Sequence, residues 1–133
     1  MREIKFRAWD KIKNKMFYPK LFDQRMVIQL SGIIGLFNLN KMYDDVTSRF
    51  ELMQYTGLKD KNGRGIYEGD WLKTFDGEIG EVRYELTFCV YGIQNKKHFR
   101  SFENIFNVWS NEERIGTLQP LIEVIGNIYE IKA

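Results

Sequence analysis

Residues 52–72, LMQYTGLKDKNGRGIYEGDWL, decide how the rest of this chain is read. The run from Phe50 to Thr56 leads into them as a strand. A polar turn over Leu58 to Gly63 follows, and Asn62-Gly63 supplies the positive φ that a tight reversal needs. Gly65-Ile66-Tyr67 then meets Glu68-Gly69-Asp70, a sharp corner, and Trp71 to Phe75 leaves it as a further strand. In that strand Trp71, Lys73 and Phe75 face away from Leu72 and Thr74. Asp76-Gly77 is a second hairpin signal, after which Ile79 to Tyr84 alternates again. Gly80 sits inside that pattern and predicts a bulge or a close backbone approach. Phe88 to Tyr91 reads as another strand, ended by Gly92, so residues 50–92 form a meander of short twisted strands.

The flanks fit the same class. Residues 3–9 alternate, with Ile4, Phe6 and Ala8 against Lys5, Arg7 and Trp9, the pattern of a half-buried strand. A polar connection turning at Asn14 and a return over Met16-Phe17-Tyr18 make an N-terminal hairpin. Residues 19–25 carry no clear pattern; Val27 to Leu30 and Ile33 to Phe37 read as short strands around Ser31-Gly32, and Asn38 to Ser48 as a polar surface loop. Then the period changes. Phe102, Ile105, Phe106 and Trp109 lie on one helical face, with Ser101 as N-cap and Arg114 and Gly116 at the end. Leu121 to Tyr129 is a final strand, apolar enough to be buried on both faces. The expectation is a single domain over residues 1–133 of mainly β class, a mixed barrel and sandwich, with one amphipathic helix near residues 101–113.

Composition narrows the function classes. The chain has 133 residues, enough to bury a core without staples, and its one cysteine, Cys89, leaves no internal disulfide. No Cys/His cluster suits zinc, no apolar run suits a membrane span, and the opening MREIKFRAWDKIKNK is charged throughout. A soluble cytoplasmic protein without a cofactor or metal is expected. The net charge of +2 is small, but residues 1–20 hold seven basic against two acidic side chains. We read that as a solvated hairpin face.

Four arrangements bear on chemistry. Gly63-Arg64-Gly65-Ile66-Tyr67-Glu68-Gly69 resembles a dinucleotide fingerprint, but Glu68 stands where its third glycine belongs and no helix follows. Asp60, Glu68, Asp70, Asp76 and Glu78 could converge on Mg²⁺ for phosphodiester hydrolysis, yet all five sit at turns, where carboxylates bond the local backbone. His98 and Cys89 could form a dyad, but Phe88, Val90 and Tyr91 point to a buried, inert thiol, and His98 amid Lys and Arg to an exposed side chain. Aromatics beside cations recur at Phe6-Arg7-Ala8-Trp9, Trp71-Leu72-Lys73, Arg83-Tyr84 and His98-Phe99-Arg100. On a small barrel such pairs stack bases and hold phosphates; alternation alone also produces them.

Three segments together resemble the YopX family of phage and prophage proteins: MREIKFRAWDK at the start, LMQYTGLKDKNGRGIYEGDWL at the centre and EVIGNIYE at residues 123–130. The resemblance implies a small, mostly β protein encoded by a bacteriophage or prophage and working inside the host bacterial cell. It carries over no activity and no catalytic residues. Trp71 stands where a small aliphatic residue is more usual, and Gly65 where a charged one is. Within the motif, Tyr55, Gly57, Asp60, Asn62, Gly63, Tyr67, Gly69 and Asp70 suit a fixed turn and corner, and the sequel is similar to the opening of SH3-like barrels.

The functional expectation is a non-catalytic accessory protein that binds an unidentified phage or host protein or assembles as a homo-oligomer through open sheet edges, away from membranes. The alternative is a nucleic-acid-binding barrel using Arg2, Lys5, Arg7, Trp9, Lys11, Trp71, Lys73 and Arg83, with roles in phage replication or expression. A metal-dependent nuclease built on the turn carboxylates is the third reading.

Overall fold

The structure, a computed structural model, describes residues 4–19, 26–28, 34–37, 43–110 and 113–130. Among the described residues it is mainly β, in short antiparallel strands with one short α-helix, the class that the alternating patterns predict. The chain gathers into two compact units, Lys5–Gln54 and Met1–Ile4 with Tyr55–Ala133.

In the first unit, β1 (Phe6–Asp10) pairs antiparallel with β2 (Lys15–Phe17) around a turn in which Asn14 takes the positive φ expected of it. β3 (Met26–Ile28), β4 (Ile34–Phe37) and β5 (Tyr43–Asp45) form a separate antiparallel sheet. Of the loop expected over Asn38 to Ser48, residues 38–42 lie outside the described residues, and the remainder forms strand β5 and a 3-10 turn over Thr47–Arg49 instead. Asp45 organises that turn by accepting from the Thr47 backbone N–H at 3.0 Å. The expected turn at Ser31-Gly32 lies outside the described residues. The first half of β6 (Phe50–Lys59) pairs along β1, Phe6 opposite Gln54 and Asp10 opposite Phe50.

β1 is not the half-buried strand expected. Arg7, Ala8, Trp9 and Asp10 are all buried, on both faces, while Ile4 is exposed before the strand begins. Asp10 explains how a charge is tolerated there. It accepts from Arg49 Nε at 3.0 Å and Nη2 at 2.7 Å, and from the Ile12 and Lys13 backbone. The Arg49 guanidinium thus holds the Asp10 carboxyl well below the usual carboxylate range, and Asp10 raises Arg49 in turn.

The second unit holds the rest of β6, paired with β7 (Gly65–Tyr67), and a five-stranded antiparallel sheet. That sheet is built from β8 (Asp70–Lys73), β9 (Ile79–Glu85), β10 (Val90–Gln94), β11 (Phe99–Ser101) and β14 (Glu123–Asn127), in the order β11-β10-β9-β8-β14. Between β11 and β14 lie helix α1 (Phe102–Phe106), the hairpin of β12 (Asn107–Ser110) with β13 (Glu113–Thr117), and a 3-10 turn over Gln119–Leu121. The core is Ile66, Leu72, Val82, Ile93, Phe102, Ile105, Phe106, Ile122 and Val124. Leu72, Val82 and Ile93 share one sheet face by strict alternation, and α1 closes over it.

Gly80 makes the close approach its place in the strand predicts. A Cβ there would lie 2.9 Å from Cβ of Ile93. Gly92 does not end its strand, which runs on to Gln94; the Phe99 ring fills the space a side chain would need. The final strand does not bury both faces: Val124 is buried, and Ile125, at a bulge between Val124 and Gly126, is exposed.

The helix is shorter than the periodicity predicts. Its first turn forms as expected and buries Phe102, Ile105 and Phe106, although Ser101 makes no side-chain cap bond. From Asn107 the chain turns extended, which puts Trp109 on β12 and Arg114 and Gly116 on β13. Asn, Val, Trp and Ser are all modest helix formers, so pairing 107–110 with 113–117 costs little helix propensity.

Candidate interaction surface

The central motif is a structural lock. Asp60 is 1% exposed, and its carboxylate accepts from the backbone N–H of Asn62 at 2.9 Å, Arg64 at 2.9 Å and Val124 at 3.0 Å. The Lys61 N–H donates to the Ile122 carbonyl at 2.8 Å, so this turn lies along the outer edge of β14 and occupies groups that another strand would need. Gly63, at φ +77°, closes the reversal. At the corner Gly69, at φ +85°, donates to Val82 and accepts from Ile128, while Asp70, fully buried, accepts from the Tyr67 N–H at 2.8 Å. Tyr55 and Tyr67 pack ring against ring at 5.3 Å, and Gly65 lies beneath Tyr55 because a Cβ would come within 3.0 Å of it. Buried Asn127 opposes Asp70 across the sheet and binds the N–H groups of Tyr129 and Glu130. The centre of the chain and its closing segment are therefore one piece of architecture.

The turn carboxylates separate into different networks. Asp60 and Asp70 serve the backbone as above. Asp76 and Glu78 converge on Arg100, whose Nη1 lies 3.1 Å from Asp76 Oδ2 and also bonds Glu78. Thr74 donates to Asp76, and this bond, followed by Arg100, lowers the Asp76 carboxyl; Arg100 is raised, first by Glu78. His98, exposed as expected, has Nε2 3.3 Å from Glu78 Oε1. Among the described residues no group of three or more His, Cys, Asp or Glu is placed to hold a metal ion.

Cys89 corrects the reading of a buried thiol: it is exposed, with φ +51°, in a turn whose N–H donates to the Leu86 carbonyl at 3.4 Å. His98 sits in the turn at the opposite end of β10, roughly 16 Å of strand away for five residues. The two do not form a dyad.

The proposed nucleic-acid residues are placed as follows. Arg2 lies outside the described residues. Lys5 is half-buried, Arg7 is 1% exposed with Nη1 3.4 Å from the Tyr18 hydroxyl, and Trp9 is buried. Lys11 bonds Glu51 at 3.2 Å on the surface. In the second unit Trp71, Lys73 and Arg83 share the outward face of the five-stranded sheet, whereas buried Arg7 and Trp9 cannot present a nucleic-acid surface with them. Glu81, Glu85 and Glu123 stand on that face too, and Glu81 grips Arg83 at 2.8 and 3.2 Å. Its cations are balanced by carboxylates.

At the end of this sheet away from Arg100, the charges give way to apolar side chains. Glu85 pairs with Val90, so Leu86 to Cys89 make a four-residue hairpin loop. Leu86 is 79% exposed and Phe88 67%. Beside the loop Phe88, Val90 and Phe99 line a groove of about 320 Å³, with Ser101, Glu103 and Asn104 on its far wall. Phe99 lies against Gly92, which braces that wall. On the other face Tyr84 meets Tyr91 edge to face at 5.0 Å, and Tyr91 stacks towards Phe102 in the core. The loop therefore stands on packed aromatics while its own apolar groups face solvent. The sequence signal for it is weak. Leu86 and Phe88 look like strand continuation, and Cys89 occupies a left-handed position that Gly or Asn would have advertised.

The family model for the YopX protein matches residues 5–131. The chain belongs to the YopX family. Protein EF1440 from Enterococcus faecalis, a crystal structure, is similar to this YopX-family chain with TM-score 0.55 and 28% identity over 98% of this chain and 96% of its own. Protein yopX from Bacillus subtilis, at TM-score 0.51 and 20% identity over 98% and 96%, shares the fold. No curated protein matches the chain.

Proposed function

We propose that this YopX-family protein is a non-catalytic binding module, encoded by a phage or prophage and acting in the host cytoplasm, that engages a protein partner or a second copy of itself through the loop Leu86–Cys89 and the adjoining groove. The phage and cytoplasmic parts of this reading rest on the family resemblance. The observation that carries the binding part is the exposure of Leu86 and Phe88 on a braced hairpin beside an apolar groove. Contiguous apolar surface of this kind marks interaction sites, because leaving it in water is unfavourable by roughly 25 cal/mol per Å². The edge of β14 is a poorer candidate, since the Asp60 turn already bonds it.

The test combines light scattering over a wide concentration range with capture of partners from phage-bearing host cells, using the natural protein and a Leu86→Ser/Phe88→Ser variant. Concentration-dependent mass, or a defined partner, that the double variant loses is the expected result. Assembly or capture unchanged in the variant sinks the assignment. Salt-sensitive binding to labelled DNA or RNA, lost on Lys73→Ala/Arg83→Ala, would favour the nucleic-acid alternative instead.

A further inference from the structure

A second groove, sharing only Glu103 with the lining of the groove just described, lies where the end of β6 meets α1 and the β12–β13 hairpin. Its volume is about 280 Å³, just below the usual range for ligand sites and enough for a single small ring. Leu58, Phe102 and Phe106 give it apolar walls, and the two phenyl rings pack 5.1 Å apart. Lys59 and Arg114 stand on its rim, both exposed, from strands β6 and β13. Neither makes an ion pair or side-chain hydrogen bond among the described residues. The other polar groups there are mostly committed. Thr117 donates to the Phe106 carbonyl at 2.9 Å, and Gln119 donates to the Asp60 carbonyl at 3.3 Å. Glu103 is the one acid lining the groove, against two cations.

We propose that this groove binds a small organic anion, its charged group drawn to Lys59 and Arg114 and its flat apolar body laid against Leu58, Phe102 and Phe106. The argument is complementarity. Two cations without carboxylate partners above an apolar floor favour a ligand that is charged at one end only. The Gln119 bond to the Asp60 turn fixes one wall, so the shape persists without ligand. A carboxylate and a phosphate monoester satisfy the same geometry, and the arms of the test separate them.

The experiment is a titration of the ¹⁵N-labelled protein with benzoate, phenyl phosphate and neutral benzamide, followed by amide shifts. Saturable shifts confined to residues 58–59, 102–107 and 114–119 are expected, with a Kd of about 1 mM for such small probes. Lys59→Gln and Arg114→Gln are surface changes that leave the fold intact, and each should weaken binding about threefold, the size of an exposed ionic contact. Tighter binding of phenyl phosphate assigns a phosphate monoester; equal binding assigns the carboxylate-sized anion. Benzamide binding as well as benzoate, shifts centred on residues 86–90, or variants that bind like the natural protein would each overturn the proposal.

Discussion

Two regions of the second unit invert the usual rule of polar outside and apolar inside. At the Asp60 corner, carboxylates are buried; at the 86–89 loop, Leu and Phe are in water. The first inversion stabilises, because both Asp60 oxygens and Asp70 Oδ2 have backbone donors at ordinary distances, so each buried carboxylate is hydrogen-bonded. The second leaves the Leu86 and Phe88 side chains in water, which is unfavourable unless something covers them. The most distinctive stretch of sequence therefore marks the lock, and the candidate binding surface lies in a stretch with no motif at all.

The contrast can be broken most severely at the lock. Asp60→Ala leaves three backbone N–H groups without their acceptor, and urea unfolding should show a loss of about 3 kcal/mol. Partner binding by the fraction that remains folded should be unchanged. Gly92→Ala drives a methyl into the Phe99 ring and the Arg100 carbonyl, with an expected cost of about 2–3 kcal/mol and a distorted apolar groove. It is the change expected to damage both fold and binding.

The first unit offers a buried charge whose partner is ionic rather than backbone. Arg49→Met should cost about 2 kcal/mol at neutral pH. Because the native Asp10 carboxyl is depressed, its stabilisation is present above the unfolded value and declines as pH falls below about 4. Acid titration of stability should show that decline in the natural protein and a shallower one in Arg49→Met.

At the loop the effects on stability should be small. Leu86→Ser/Phe88→Ser is expected to stay within about 0.5 kcal/mol of the natural protein by urea unfolding while losing its partner. Cys89→Gly should stabilise by about 0.5 kcal/mol, since glycine takes φ +51° without the Cβ clash. A destabilised Cys89→Gly would mean that the thiol contact to Leu86 matters more than the backbone strain.

Local chemistry accounts for what could be read in advance. Asn14, Gly63, Gly69 and Gly77 take positive φ at the reversals expected of them, and the alternation read over residues 71–75 and 79–84 puts Leu72 and Val82 on one face; Ile93 joins them only because the strand runs on past Gly92. The helix stopped early because its later apolar residues, at helical spacing, were equally good strand residues and found a hairpin partner in 113–117. Cys89 is exposed despite its apolar sequence neighbours because they do not bury a residue that lies in a turn. Asp60 could be assigned to a turn, but not to Val124, which is 64 residues away.

By itself, then, the sequence determined the family, the mainly β class, the reversals at Asn14, Gly63, Gly69 and Gly77, and the facing of alternating strands such as β8 and β9. Tertiary structure alone decided which carboxylates were buried, which cations were neutralised and which apolar side chains were left in water. Those outcomes depend on which distant strand arrives alongside, and burial is a property of the assembled sheet rather than of any one segment.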